Sequence, residues 1–172
     1  MLLNNRGEAI GIQDKAVVHT EATPLHLAFS LYLFDVAGRV LLTRRALTKL
    51  TWPGVWTNTC CGHPAPGEQP EEAVRRRLPQ ELGVDVGDLT CVLPGFAYLA
   101  TDASGIQENE ICPVYAGRLL HPRSPIRANT AEVMDWVWAE WDDVVTAVAA
   151  TPFAFSPWAV KQIQQLPTSP CP

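Results

Sequence analysis

The sequence predicts an α+β fold, a mixed β-sheet sandwich with flanking helices. Strand-like runs outnumber helix-like ones, the two do not alternate regularly, and a central segment carries clear helix start and stop signals. The stretch up to Thr20 mixes polar residues with a short apolar alternation and reads as a small hairpin. His26 to Phe34 reads as a strand, Asp35-Val36-Ala37-Gly38 as a turn, and Arg39 to Thr43 as the partner strand. From Ala46 to Pro66 the chain is rich in loop formers, among them Pro53-Gly54 and Gly62. A loop of this length in a compact domain is more often functional than idle. Pro70 at the first helical position, with Glu71 and Glu72 in the first turn, opens a helix that runs towards Leu82 and stops at Gly83. Inside it, Pro79 lacks an N–H and clashes with the preceding turn at a cost of about 3 kcal/mol, so a kink is expected just before Glu81. Strands are expected from about Thr90 to Ala100 and from Ile106 to Arg118, on either side of the turn Thr101 to Gly105, and again from Val133 to Ala139. Pro125 through Asn129 reads as a surface loop, and helices are expected from Asp142 and from Ser156. No repeat or linker divides the chain, so residues 1–172 read as one domain.

Composition narrows the function classes. With 172 residues and 47% apolar content, the chain can bury a core of its own. A net charge of −5 argues against bulk nucleic-acid binding while leaving room for a local basic pocket. The longest apolar run, Leu25 to Phe34, is interrupted by His26 and Ser30 and falls far short of the roughly 20 residues that span a bilayer. No secretory signal is visible at the start. Five cysteines without a repeating frame point to a reducing compartment, by default the cytoplasm.

Two constellations carry chemistry. The first runs from Gly62 through Glu68 to Arg76, Leu78, Glu81, Gly83 and Val84, and its spacing resembles the Nudix signature. In the hydrolases of that superfamily, carboxylates on one helix face hold divalent ions against a diphosphate. Here Arg77 and Gln80 stand where two of those glutamates are expected, which leaves Glu81 and weakens the case for a pyrophosphohydrolase, kept as the second reading. Taken alone, Arg77 and Glu81, four apart, are also compatible with a plain exposed helix pair.

The second constellation is His19, His26, His63, Glu108 and Glu110. Residues two apart on a strand face the same side, so both glutamates can address one ion. Three imidazoles and two carboxylates favour a first-row ion, Mn²⁺ or Zn²⁺. A hairpin centred near Ala103 would set Tyr98 opposite Glu108 on that face. A solvated strand face is the alternative for the two glutamates, and His121, in a loop beside Pro122, reads as an ordinary surface residue. The neighbours Cys60 and Cys61 admit two other readings, a strained disulfide or zinc binding with His63.

In order and at compatible spacing, Leu25-His26-Leu27-Ala28-Phe29-Ser30, Thr43-Arg44-Arg45-Ala46-Leu47, Trp52 to Asn58, Cys61-Gly62-His63-Pro64, Ala100-Thr101-Asp102, Glu108-Asn109-Glu110 and Phe155-Ser156-Pro157-Trp158 resemble the type 1 isopentenyl-diphosphate isomerases. The resemblance covers His19 to Trp158. It implies a Nudix-like fold that converts isopentenyl diphosphate to dimethylallyl diphosphate by protonation and deprotonation, through a tertiary carbocation and without a redox cofactor. By resemblance, Cys61 supplies one proton-transfer group and Glu110, with Tyr98, the other, while the indole of Trp158 faces the cation. Lys15, Arg45, Lys49 and Arg77 match the diphosphate contacts, and Glu81 matches the residue that joins substrate oxygens in holding Mg²⁺. Arg44, Arg75 and Arg76 read as solvated or structural. The partner implied is a small diphosphate, with no nucleic acid and no membrane insertion, and the chain acting as a monomer or weak homo-oligomer.

Overall fold

The computed structural model describes residues 1–168 and 170–172, and the side chains of all of these except Lys15 and Ala16. Its elements run β1 (Leu2–Leu3), β2 (Ala9–Gly11), α1 (Lys15–Val18), β3 (His26–Leu27), β4 (Phe29–Phe34), β5 (Val40–Arg45), β6 (Trp56–Thr57), β7 (Cys60–Gly62) and α2 (Pro70–Leu82). There follow β8 (Val86–Leu93), β9 (Ala97–Thr101), β10 (Gln107–Ile111), β11 (Val114–Leu119), β12 (Val133–Ala139), α3 (Trp141–Ala150), a 3-10 turn (Pro152–Ala154) and α4 (Pro157–Ile163). The expected mixed-sheet architecture is present as a sheet ordered β2-β1-β3-β10-β9 and a larger one ordered β12-β5-β4-β11-β8, with β6 and β7 attached to β5 and β4.

Each of the three long strands expected from sequence is two strands in different sheets. The chain changes sheet at Ala28, at Pro94–Phe96 and at Cys112–Pro113. These corners are stitched by backbone hydrogen bonds: Ala28 N donates to Ile111 O (2.9 Å), Cys112 N to Phe96 O (2.8 Å) and Ser30 N to Pro113 O (3.1 Å). The side chains on both sides of each corner stay apolar, so the hydropathy pattern does not register the change. The N-terminal hairpin is shorter than expected, ending at Gly11, and residues 15–18 are helical.

β4 is buried along its whole length because its two faces serve different cores. Phe29, Leu31 and Leu33 pack with Ala73, Val74, Leu78 and Leu82 of α2. Tyr32 and Phe34 face the other way, towards Trp141, Val148 and Trp158 of the C-terminal helices and towards Phe96 and Tyr98. Alternation with period two thus gives a continuous apolar run when both faces are covered.

α2 begins as expected, with Pro70 in its first turn and a capping box in which Gln69 and Glu72 satisfy one another's backbone. It runs without interruption through Pro79 to Leu82 and ends on Gly83, whose φ of 68° is left-handed. A Cβ at Gly83 would sit 2.8 Å from Arg127 Cβ, so both conformation and space call for glycine there.

The expected loop from Ala46 to Pro66 hides the two short strands that build the site. β4 and β5 pair only at Phe34 with Val40 and then splay apart. Into the gap fold β6, paired with β5, and β7, paired with β4 so that Ser30 faces Cys61. Thr59 locks the wedge, its hydroxyl donating to Leu41 O (2.6 Å) and accepting from Leu33 N (2.8 Å).

Candidate active site

Five side chains from four segments converge on β3 and β10, neighbouring interior strands of the smaller sheet. β3 and β10 are parallel neighbours in a register that sets His26 beside Glu110. Glu108 lies two residues earlier on the same face, His19 follows α1, and His63 follows β7. The ligand atoms of His19, His26, His63, Glu108 and Glu110 all lie within 4.8 Å of one another. His26 Nδ1 contacts Pro24 O at 2.9 Å and must donate there, so in the neutral ring Nε2 presents its lone pair to the cluster. That atom is 3.2 Å from His63 Nε2, a separation at which two lone pairs repel unless a proton or a cation stands between them. His19 Nε2, 3.0 Å from Glu108 Oε2, is buried and makes no hydrogen bond. An orphaned nitrogen aimed at paired carboxylates fits a divalent cation held by nitrogen and oxygen donors. Burial opposes protonation of His26, but its hydrogen bond to Glu110 and the charge of that carboxylate outweigh it and raise the pKa. Burial pushes Glu110 up in turn, yet the hydrogen bonds from His26 and His63 hold its carboxyl well below the usual range.

The cluster forms one wall of a cavity of about 560 Å³. Cys61, Tyr98, Glu108, Glu110, His19, His63, Arg45, Lys49 and Trp158, all singled out from sequence, line it. The Tyr98 hydroxyl donates to Glu110 Oε2 at 2.9 Å. The hairpin register pairs Tyr98 with Glu110 and Ala100 with Glu108, which corrects the expected Tyr98–Glu108 pairing. The correction comes from the turn, closed by Asp102 N to Ile106 O (2.9 Å) with Gly105 at positive φ, whose centre is one residue later than expected. Cys60 and Cys61 are both free thiols. Burial pushes the Cys61 thiol up to about 11, so it keeps its proton at neutral pH. Burial also pushes the Tyr98 hydroxyl well above its usual value.

Asn58, fully buried, ties the Cys61 thiol to the Trp158 indole. Its Oδ1 accepts from the Cys61 thiol (3.0 Å), from Trp158 Nε1 (3.1 Å) and from the Thr57 hydroxyl (2.8 Å), while its Nδ2 donates to Leu31 O and Cys60 O. Trp158 also meets Tyr98, with ring centroids 5.8 Å apart. The Arg45 guanidinium sits 5.1 Å over the Trp158 ring and donates to Thr51 O at 2.7 Å.

Arg77 and Glu81 are not among the lining residues and connect to the cavity through Glu132, which is. Arg77 Nη2 donates to Glu81 Oε1 at 2.5 Å and to Glu132 Oε1 at 3.0 Å, and Lys49 Nζ donates to Glu132 Oε2 at 2.5 Å. Burial raises the pKa of Glu81, partly offset by Arg77. Glu132 is held down at about 2 despite its burial, because Lys49 and Arg77 both pair with it. Arg76 is structural, gripping Glu68 with two hydrogen bonds (2.6 and 2.7 Å) and reaching His63 O at 3.3 Å. The Lys15 side chain lies outside the described residues. Sequence reasoning missed Glu132 and the bonding role of Asn58. Asn58 sits within a quoted motif, whereas Glu132, an isolated acid before a strand, carries no periodic signal.

The chain has known relatives in sequence and in fold. The NUDIX domain family model matches residues 24–160. A Mycolicibacterium vanbaalenii isopentenyl-diphosphate Delta-isomerase is 55% identical over 96% of this chain and 90% of its own. The chain belongs to the isopentenyl-diphosphate Delta-isomerase family of NUDIX-domain proteins. A relative of the same description from Brevibacterium linens is 51% identical over 96% of this chain and 90% of its own. In fold, a Deinococcus radiodurans crystal structure matches with a TM-score of 0.71 at 19% identity, covering 96% of both chains. A MutT protein from Methanosarcina mazei matches with a TM-score of 0.63 at 16% identity, over 83% of this chain and 92% of that one. Departures from the hydrolase signature at Arg77 and Gln80 thus accompany a NUDIX sandwich.

Proposed function

We propose that this chain isomerises isopentenyl diphosphate to dimethylallyl diphosphate by protonation and deprotonation within the cavity lined by Cys61 and Glu110. One observation carries the reading: a thiol kept protonated by burial shares a cavity wall with a carboxylate–phenol pair, linked through Asn58 and Trp158. An alkene is a weak base, so one group must deliver a proton and another must remove one from the adjacent carbon. Cys61 takes one of these tasks and Glu110, hydrogen-bonded to Tyr98, takes the other. The electron-rich face of Trp158 stabilises the tertiary cation between the two transfers by about 0.5–2 kcal/mol and keeps water from trapping it. Arg45, Lys49, Arg77 and Lys15 bind the diphosphate, and Glu81 would help hold an Mg²⁺ ion that neutralises it. His19, His26, His63, Glu108 and Glu110 would hold one Mn²⁺ or Zn²⁺. That ion would supply fixed positive charge beside Glu110 and so orient its proton chemistry.

Cys61→Ala and Glu110→Gln should each cut isomerisation by ~10²–10⁴-fold or more while leaving the protein folded, since each removes a proton carrier. Cys60→Ala is the neighbouring control and should keep most activity. Near-native turnover by Cys61→Ala would remove the thiol from the mechanism. The pyrophosphohydrolase reading is not favoured, because two of the signature carboxylates are replaced and Arg77 instead neutralises Glu81.

A further inference from the structure

Glu132 lines the cavity with one oxygen on each of two cations, Lys49 and Arg77. Glu81 holds the same Arg77 nitrogen from the other side. Two cations and two carboxylates are therefore already matched in a chain of contacts between 2.5 and 3.0 Å.

The arrangement is braced. Glu132 O accepts from Ala46 N at 3.0 Å, which ties it to the segment carrying Lys49. The stretch just before it is fastened to the end of α2, with Arg127 N donating to Leu82 O and Asn129 N to Glu81 O, both at 2.8 Å. Its carboxylate is mostly shielded, with a side-chain exposure of 22%. In such a place a fixed negative charge acts strongly on an incoming anion, because little water screens it.

We propose that Glu132 is a specificity-determining residue of the diphosphate site, an internal counter-anion that disfavours uncomplexed diphosphate and admits diphosphate carrying a divalent cation. Free diphosphate must compete with Glu132 for Lys49 and Arg77, and its arrival leaves two carboxylates beside an anion. A divalent cation that travels with the diphosphate supplies the missing charge and gives Glu81 and Glu132 something to face. This inference rests on the reading of the cavity as a diphosphate site.

The test is direct binding of inorganic pyrophosphate by calorimetry, with and without added Mg²⁺, to the wild type and to Glu132→Gln. The wild type should bind pyrophosphate weakly without Mg²⁺ and much more tightly with it. Glu132→Gln should bind the metal-free anion about tenfold more tightly than the wild type, so that its preference for the Mg²⁺ form shrinks. Glu132→Ala should shift in the same direction, and melting temperatures verify that both variants fold. Unchanged or weaker metal-free binding by both variants would overturn the proposal and leave Glu132 as a brace for the two cations. So would a wild type that binds pyrophosphate equally well without Mg²⁺. A wild type that shows the Mg²⁺ preference but does not isomerise isopentenyl diphosphate would sink the proposed function and leave the role of Glu132 standing.

Discussion

Cys61 shows how much of the chemistry is set by what surrounds one side chain. Its neighbour Cys60 has the same thiol, but Cys60 points into the core under α2, whereas Cys61 points into the cavity. Strand alternation alone separates them. Burial keeps the Cys61 thiol protonated up to about pH 11, so its reaction with iodoacetamide, which needs the thiolate, should climb about tenfold per pH unit through the alkaline range. Peptide-resolved mass spectrometry reads this, and a plateau already reached near neutrality would contradict the protonation state assigned here. The candidate cluster of His19, His26, His63, Glu108 and Glu110 was legible only as residue types, three imidazoles and a carboxylate pair two apart on one strand. Its pairwise geometry was not, because the five positions are scattered along the chain and meet only through strand register.

Among the elements, α2 was the most legible, because its start and stop rest on local stereochemistry. Gly83→Ala should destabilise the protein by about 1–3 kcal/mol, as a left-handed backbone and a 2.8 Å approach to Arg127 both oppose a Cβ. Urea denaturation measures this, and a loss below a few tenths of a kcal/mol would show that the junction relaxes. The strands were legible in composition but not in connectivity. A run such as His26 to Phe34 stays apolar across the corner at Ala28, because one half lies beside β10 in the smaller sheet and the other is buried between two cores. β6 and β7 left no signal of their own. They are two and three residues long, they contain no alternation to detect, and they exist because β4 and β5 splay apart and leave backbone groups to satisfy. The Tyr98 register differed for a comparable reason, since one residue in the turn decides which glutamate it faces.

Across the whole molecule, the two sheets meet where the chain switches between them, and the cavity lies along that seam. β10 brings Glu108 and Glu110 from the smaller sheet and β7 brings Cys61 from the larger, so the proposed proton carriers stand on separate layers. Among the described residues no helix is long and apolar enough to cross a membrane. Purified protein should carry one tightly held transition-metal ion, and His63→Ala should lose it while Glu81→Gln keeps it. Elemental analysis that finds the ion still bound in His63→Ala would take that histidine out of the ligand set. The central claim is that this NUDIX sandwich moves protons instead of cleaving phosphates. The most direct measurement is a paired assay of the wild type with Mg²⁺ and isopentenyl diphosphate, following dimethylallyl diphosphate alongside released phosphate and pyrophosphate. The isomer should accumulate with essentially no phosphate or pyrophosphate, whereas phosphate or pyrophosphate appearing faster than the isomer would contradict the account.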